Sequence, residues 1–371
     1  MQNKRKIKNI LVTGGSGFIG SNFIRFLFED TDFKGRVINI DKLTYAGNPE
    51  NLDDISSKYG DARYFFEKLD VCDKTKLDEA FKKYDIDTIV HFAAESHVDR
   101  SIDAPDEFIQ TNIIGTFNLL ETARKFWGNK ASASGSGNLF HHISTDEVYG
   151  SLGETGLFYE ETSYDPRSPY SASKASSDHL VRAYFHTYNL PVTLSNCSNN
   201  YGPHQFPEKL IPLMILNALE GKALPIYGDG KNIRDWLFVR DHCSAIWSII
   251  NSGKTGETYN IGGNSEKTNI DIVNEICAGL QKIYPIEQNK SIKGLSNYTE
   301  LIKFVKDRPG HDRRYAINFD KINKELGWSP KKNFKDGLFE TINWFIDNMS
   351  WVDNIRNGDY LKWIDNNYGA R

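Results

Sequence analysis

A chain of 371 residues, 39% hydrophobic and 25% charged, is long enough for one large domain or for two lobes around a cleft. Its net charge of −4 gives no electrostatic reason to expect nucleic acid or an anionic membrane as partner, and no apolar run approaches the roughly 20 residues needed to span a bilayer. The four cysteines, Cys72, Cys197, Cys243 and Cys277, are far apart and form no CxxC, which argues against a disulfide framework or a zinc site and for a reducing cytoplasm, with no metal expected.

In chain order, MQNKRKIKNILVTGG begins basic and turns strand-like, and its Gly turn comes too early for a signal peptide. The strand KNILVTGG (8–15) leads into a helical pattern, FIGSNFIRFLFED (18–30). RVINID (36–41), YFFEKLD (64–70) and TIVHFAA (88–94) read as further strands, followed by one long helix, EFIQTNIIGTFNLLETARKFW (107–127). The polar segment NKASASGSGN (129–138) reads as a surface loop. LFHHIST (139–145) is a strand, SPYSASKASSDHLVRAYFHTY (168–188) a helix, and VTLSNCSNNYG (192–202) a last strand of this half. Strands alternating with helices indicate an α/β, Rossmann-type doubly wound parallel sheet. Beyond about residue 200 the pattern loosens into a smaller, loop-rich C-terminal domain, while WLFVRDHCSAIWSII (236–250) and TYNIGG (258–263) read as a return to the sheet. The expected division is 1–200, rejoined by about 235–262, against 201–234 and 263–371.

Gly14, Gly17 and Gly20 follow the first strand and open a helix. Glycines there allow a tight turn, close approach of backbone to a pyrophosphate, and close helix–strand packing. Asp41 ends the second strand about 20 residues later, where an acid can take the adenosine ribose hydroxyls. Its charge repels a 2′-phosphate and favours NAD over NADP, an argument that adjacent Lys42 softens. Asp70 and Val71, and then FAAES (92–96), end the next two strands, the usual edge for adenine and ribose.

A Tyr-x-x-x-Lys spacing occurs at Tyr64/Lys68, Tyr170/Lys174 and Tyr227/Lys231, so the spacing alone selects nothing. The first pair lies in a strand, where four residues span roughly 13 Å, and the third runs through a YGDGK turn. Only Tyr170 and Lys174 stack one turn apart on a helix, where a nearby ammonium would lower the phenol towards working pH and make it a general base. HISTDEVYG (142–150) then places Asp146 and Glu147 side by side where the fifth strand should open onto the cleft. Neighbouring side chains of a straight strand point to opposite faces, so the pair predicts a bend or a first helical turn there. Crowding two carboxyls in a partly desolvated cleft would push their titrations apart.

Together the glycine fingerprint, the strand-end Asp41 and the helical Tyr170/Lys174 pair resemble the extended short-chain dehydrogenase/reductase family over essentially the whole chain. Within it, the acid pair, with HFAAESHVDRSI, NCSNNYGPHQFPEKLIP, GDGKNIRDW and DRPGHDRRYAI, is similar to the 4,6-dehydratases of nucleotide sugars, with Arg240 as a mild departure. The resemblance implies a dTDP-linked glucose as substrate, with uridine, cytidine and guanosine carriers as rivals. A dinucleotide sensor without catalysis and a net oxidoreductase are the rivals of another class. It makes Tyr170 the base at the 4-hydroxyl, Glu147 the base at C5 and Asp146 the acid at O6, with Thr145, and Ser144 as its candidate companion, bonding the 4-oxygen. It also implies cofactor contacts at Phe18, Ile19, Leu43, Thr44, Phe92, Ala93, Ala94, Ser96, Thr111 and Asn200. Diphosphate contacts fall to Arg234 and Arg308. Further substrate contacts fall to Ser96, Asn199, Lys209, Leu210, Pro225, Ile226, Tyr227, Asn269 and His311. The apolar helices at 106–127 and 170–189 imply a homodimer, since such helices pair across a two-fold axis in this family.

Overall fold

The structure is a computed structural model that describes residues 4–128, 137–307 and 311–356. Seven strands form one parallel sheet: β1 (Asn9–Thr13), β2 (Arg36–Asp41), β3 (Tyr64–Lys68), β4 (Thr88–His91), β5 (Leu139–Thr145), β6 (Val192–Cys197) and, from much later in the chain, β10 (Thr258–Ile261). Their order is β10-β6-β5-β4-β1-β2-β3, so the winding reverses between β1 and β4, where doubly wound sheets bind ligands. β1, β4, β5 and β6 are buried along their whole length, the consequence of helices on both faces.

Helices Phe18–Glu29 and Val239–Ser252 cover one face around Ile10, Val12, Ile24 and Ile246. Helices Lys74–Tyr84, Thr116–Trp127 and Pro169–Tyr188 cover the other around Leu11, Ile89, Leu120 and Val181. A second core gathers helices Leu210–Leu219, Asn269–Ile283 and Phe334–Asp347 with two small sheets. One is β7 (Asn199–Tyr201), β9 (Ile233–Phe238) and β11 (Glu266–Thr268), and the other pairs β8 (Leu224–Tyr227) with β12 (Ile302–Val305). β10 pairs with β6 in register Thr258↔Leu194, so the late segment completes the parallel sheet.

Two expected elements differ. The single strand at 192–202 is two: β6 ends at Cys197, the Ser198 amide donates to the Ile261 carbonyl at 3.0 Å, and β7 then pairs with β9 in another sheet. The single helix at 107–127 contains a π-helical stretch, Ile109–Gly115, between α-helical Pro105–Phe108 and Thr116–Trp127. Its wider turn sets Asn112 against the neighbouring loop and helix, where its amide donates to the Glu95 carbonyl at 3.0 Å and to Ser173 Oγ at 2.8 Å. The Arg240 departure is accommodated at the surface, where its guanidinium pairs with Glu29 at 3.0 Å and with Asp30. The loop expectation at 129–138 lies mostly outside the described residues.

Candidate active site

The turn after β1 is built for an anion. Gly14 has φ +66°, and a Cβ there would lie 2.7 Å from the Ala93 nitrogen. A Cβ on Gly20 would lie 2.3 Å from the Gly14 carbonyl oxygen, so any larger residue would push the helix off the strand. At Gly17 the nearest protein atom to a Cβ is Gly14 O at 3.3 Å, leaving that side of the helix start open. Asp41, buried at the end of β2, accepts the Ser16 amide at 3.0 Å and the Leu43 amide at 2.8 Å. Burial raises its carboxyl, against these two amides and Lys42. Lys42 is held by Thr111 Oγ1 at 3.2 Å and lies 3.8 Å from Asp70. A glycine cradle with an acid at its far end fits the pyrophosphate and ribose of a dinucleotide.

One cavity of about 310 Å³ joins this turn to the ends of β4 and β5. Its wall contains Gly14, Gly17, Phe18, Ile19, Gly20, Asp41, Lys42 and Thr44 from the first half of the turn-and-strand edge. Val71, Phe92, Ala93, Ala94, Ser96 and Thr111 continue it towards Thr145, Asp146, Glu147, Tyr170 and Lys174. Asn199 and Asn200 of β7, with Lys209, complete it. Leu43 and Asp70 flank this wall without lining it, Leu43 holding a left-handed φ of 58° beside Asp41.

β5 ends at Thr145 in extended conformation and the chain bends at once into a 3-10 turn, Asp146–Tyr149, as the acid pair required. Thr145 Oγ1 accepts the Glu147 amide at 3.3 Å and donates to Asp146 Oδ1 at 3.3 Å. Asp146 is 2% exposed, and its Oδ2 has no hydrogen-bond partner among the described residues. Burial, then the charges of Glu147 and Asp235, hold its carboxyl well above the usual range, with Arg234 opposing. Asp235 is itself buried and accepts the amides of Gly263 at 2.8 Å and Ser265 at 2.6 Å. Asp146 thus lines the cavity with a carboxyl whose neutral form burial favours and with one oxygen that has no hydrogen-bond partner among the described residues.

The helix carrying Tyr170 starts at a capping box: Ser168 Oγ accepts the Ser171 amide at 3.1 Å, Ser171 Oγ returns to Ser168, and Pro169 opens the first turn. Tyr170 and Lys174 are both buried on one face of this helix. The expected lowering of the Tyr170 phenol by Lys174 is not what the structure gives. Burial, then Glu147 and Cys197, raise it well above its ordinary value, while Lys174 donates to the Ile143 carbonyl at 2.7 Å. Desolvating a phenolate beside a carboxylate outweighs an ammonium turned towards a backbone oxygen. Ser144, the candidate companion of Thr145, donates a hydrogen bond to Asp178 Oδ2 at 2.8 Å instead.

The remaining predicted contacts among the described residues do not line this cavity. Leu210 and Asn269 each begin a helix, Pro225, Ile226 and Tyr227 form the end of β8, and Arg234 lies in β9. The Arg234 guanidinium donates to the carbonyls of Ile233 at 2.8 Å and Asp312 at 3.0 Å, and lies 4.2 Å from the Tyr315 ring centre. The rings of Tyr227 and His311 are 6.1 Å apart, and His311 Nδ1 meets Asp307 at 2.7 Å. Arg308 lies outside the described residues. Sequence reasoning missed Tyr45, Glu95, Cys197, Gln205 and Glu208 in the cavity wall. Glu95 and Glu208 stood inside motifs already quoted, but their chain spacing gives no sign that Glu208, Arg100 and Tyr45 meet. Arg100 pairs with Glu208 at 3.2 Å and lies 3.8 Å over the Tyr45 ring.

The family described as GDP-mannose 4,6 dehydratase matches residues 11–341. The dTDP-glucose 4,6-dehydratase of Neisseria meningitidis serogroup B is 56% identical over 355 residues, covering 95% of this chain and 98% of that protein. Among solved structures, the dTDP-glucose 4,6-dehydratase of Bacillus anthracis str. Ames in complex with NAD matches at TM-score 0.81 and 46% identity, covering 94% of this chain and 100% of the other. The Streptomyces venezuelae dTDP-glucose 4,6-dehydratase, also with NAD bound, matches at TM-score 0.82 and 41% identity over the same shares.

Proposed function

The chain belongs to the GDP-mannose 4,6 dehydratase family, and from that premise we propose that it converts dTDP-glucose to the 4-keto-6-deoxy sugar nucleotide by losing water with no net oxidation. The observation that carries the reading is the 3-10 turn at the end of β5. It brings Asp146, whose carboxyl burial holds well above the usual range, and Glu147 into one cavity wall with Thr145, Tyr170 and the glycine turn.

NAD, when bound, would supply the hydride acceptor for C4 and the hydride donor for C6. The glycine cradle and Asp41 hold it, and the carboxylate at Asp41 disfavours a 2′-phosphate. Tyr170 takes the 4-hydroxyl proton, and the Thr145 hydroxyl bonds the 4-oxygen as charge develops there. With C4 a ketone, the C5 proton becomes removable because the enolate spreads onto the 4-oxygen. Glu147 takes that proton while Asp146 gives its own to the departing 6-hydroxyl, which leaves as water. Glu147 then reprotonates C5, and the proton held by Tyr170 balances, through solvent, the one Asp146 lost.

Residues 201–234 and 263–371 form the nucleotide-sugar lobe in this reading. Arg234 and Arg308 take the diphosphate, and Ser96, Asn199, Lys209, Tyr227, Asn269 and His311 contact the rest of the substrate. The test is to incubate the protein with dTDP-, UDP-, CDP- and GDP-glucose and trace NAD. A 4-keto-6-deoxy product from the dTDP sugar without NADH build-up is expected. Steady NADH accumulation would overturn the reading, and turnover of another carrier alone would reassign the substrate.

We further propose a homodimer in the cytoplasm, with neither nucleic acid nor membrane as partner. Ile109, Ile114 and Phe117 stand 44%, 39% and 39% exposed along one helical segment, an apolar strip suited to a symmetry mate. All four cysteines are free, and no described helix is long and apolar enough to cross a membrane. Phe117→Glu should halve the mass measured by light scattering; an unchanged mass would place the interface elsewhere.

A further inference from the structure

Lys174 and Asp178 lie one turn apart on the helix Pro169–Tyr188, both buried, on the face that meets β5. A buried ammonium is costly unless an opposite charge and acceptors accompany it. Lys174 Nζ has the Ile143 carbonyl at 2.7 Å and His142 Nε2 at 3.5 Å. The same imidazole nitrogen is 3.3 Å from Asp178 Oδ1, an oxygen with no hydrogen-bond partner among the described residues, so His142 lies between the two groups. Asp178 Oδ2 accepts the hydroxyls of Ser144 and Tyr164, each at 2.8 Å, and the Tyr164 oxygen accepts from Arg182 at 2.9 Å. No step of the reaction above uses this carboxylate.

We infer that Asp178 is a positioning residue: it supplies the buried negative charge that keeps Lys174 an ammonium aimed at the Ile143 carbonyl, an assignment that rests on reading Tyr170 and Lys174 as the catalytic pair. The other titratable groups around the pair cannot replace it. Burial pushes His142 of β5 and His91 of β4 well below the imidazole range, so both are neutral. Burial likewise raises the Cys197 thiol of β6 and the phenols of Tyr149 and Tyr164, which favours their neutral forms. Burial raises the Asp178 carboxyl itself, and Lys174 is first among the groups opposing that rise, ahead of the Ser144 and Tyr164 hydroxyls and Arg182. Burial lowers the Lys174 ammonium to about 8, with Asp178 first among the groups opposing the fall.

The experiment is the pH profile of C4 oxidation in the NAD-loaded protein with saturating dTDP-glucose. Loss of the ammonium gives an alkaline limb, and removing the nearby anion lowers the Lys174 pKa. Asp178→Asn should therefore move that limb to lower pH by about one to three units. Lys174→Arg, charged throughout, should move it up or remove it. If the Lys174→Arg limb coincides with wild type, the catalytic reading of Lys174 fails and this inference with it. If Lys174→Arg moves the limb and Asp178→Asn does not, the Asp178 inference fails alone. Should Asp178→Asn fold too poorly to assay, thermal midpoints decide. Adding Lys174→Met removes the stranded cation and should raise the midpoint above that of Asp178→Asn. A double variant no more stable than the single one overturns the pairing.

Discussion

Glu147→Gln should stop solvent deuterium from entering C5 and cut dehydration by about 10² to 10⁴-fold while C4 oxidation persists. The amide keeps the size of the carboxylate but cannot take a proton, so the sequence halts at the 4-ketone and NADH absorbance appears stoichiometrically with enzyme. The structure adds a second expectation. Glu147 is the largest charge contribution raising the Tyr170 phenol, behind burial. Removing that anion lowers the phenol, so the acidic limb of C4 oxidation in Glu147→Gln should move to lower pH. Deuterium uptake at the wild-type rate would remove Glu147 as the C5 base. An unmoved limb would show that Tyr170 does not feel its charge.

Tyr170→Phe should lose both oxidation and exchange, again by about 10² to 10⁴-fold, because the 4-hydroxyl proton has nowhere to go and no ketone forms. The ring stays packed edge-on to Phe108, 6.2 Å between centres, and the phenol oxygen is all that leaves. The variant should therefore retain its thermal midpoint and its bound NAD, which separates lost chemistry from a lost fold. Stoichiometric NADH formation on mixing with dTDP-glucose would remove Tyr170 from the mechanism. The two variants differ in what they leave behind: a stalled ketone in one and untouched substrate in the other.

Much of this geometry was readable from residue order because it is local. Period-2 and period-3.6 patterns mark the alternating strands and helices, and Gly14, Gly17 and Gly20 act within one turn of backbone. Two adjacent acids at a strand end can face one site only if the chain bends there, and β5 does give way to a turn at Asp146. What resisted reading depends on groups distant in the chain. The break at Ser198 leaves no mark in composition, since β6 and β7 are both strand-like and only pairing with β10 and β9 separates them. The π-helical stretch arises because Asn112 meets Glu95 and Ser173, neither nearby in sequence. The direction of Lys174 depends on a backbone carbonyl, and no pattern of side chains encodes that. The second-lobe contacts from Leu210 to His311 came from resemblance alone, and the cavity wall does not include them.

The late arrival of β10 bears on how the protein is made. Until Thr258–Ile261 leaves the ribosome, β6 is an open sheet edge, its Leu194, Asn196 and Cys197 backbone groups lacking the neighbour that later pairs with them. Val239–Ser252, which covers Ile10 and Val12, emerges only shortly before it. Translation stalled before that point would leave a sticky half-sheet for chaperones to shield, and the nucleotide turn cannot be firmly seated while the chain is incomplete.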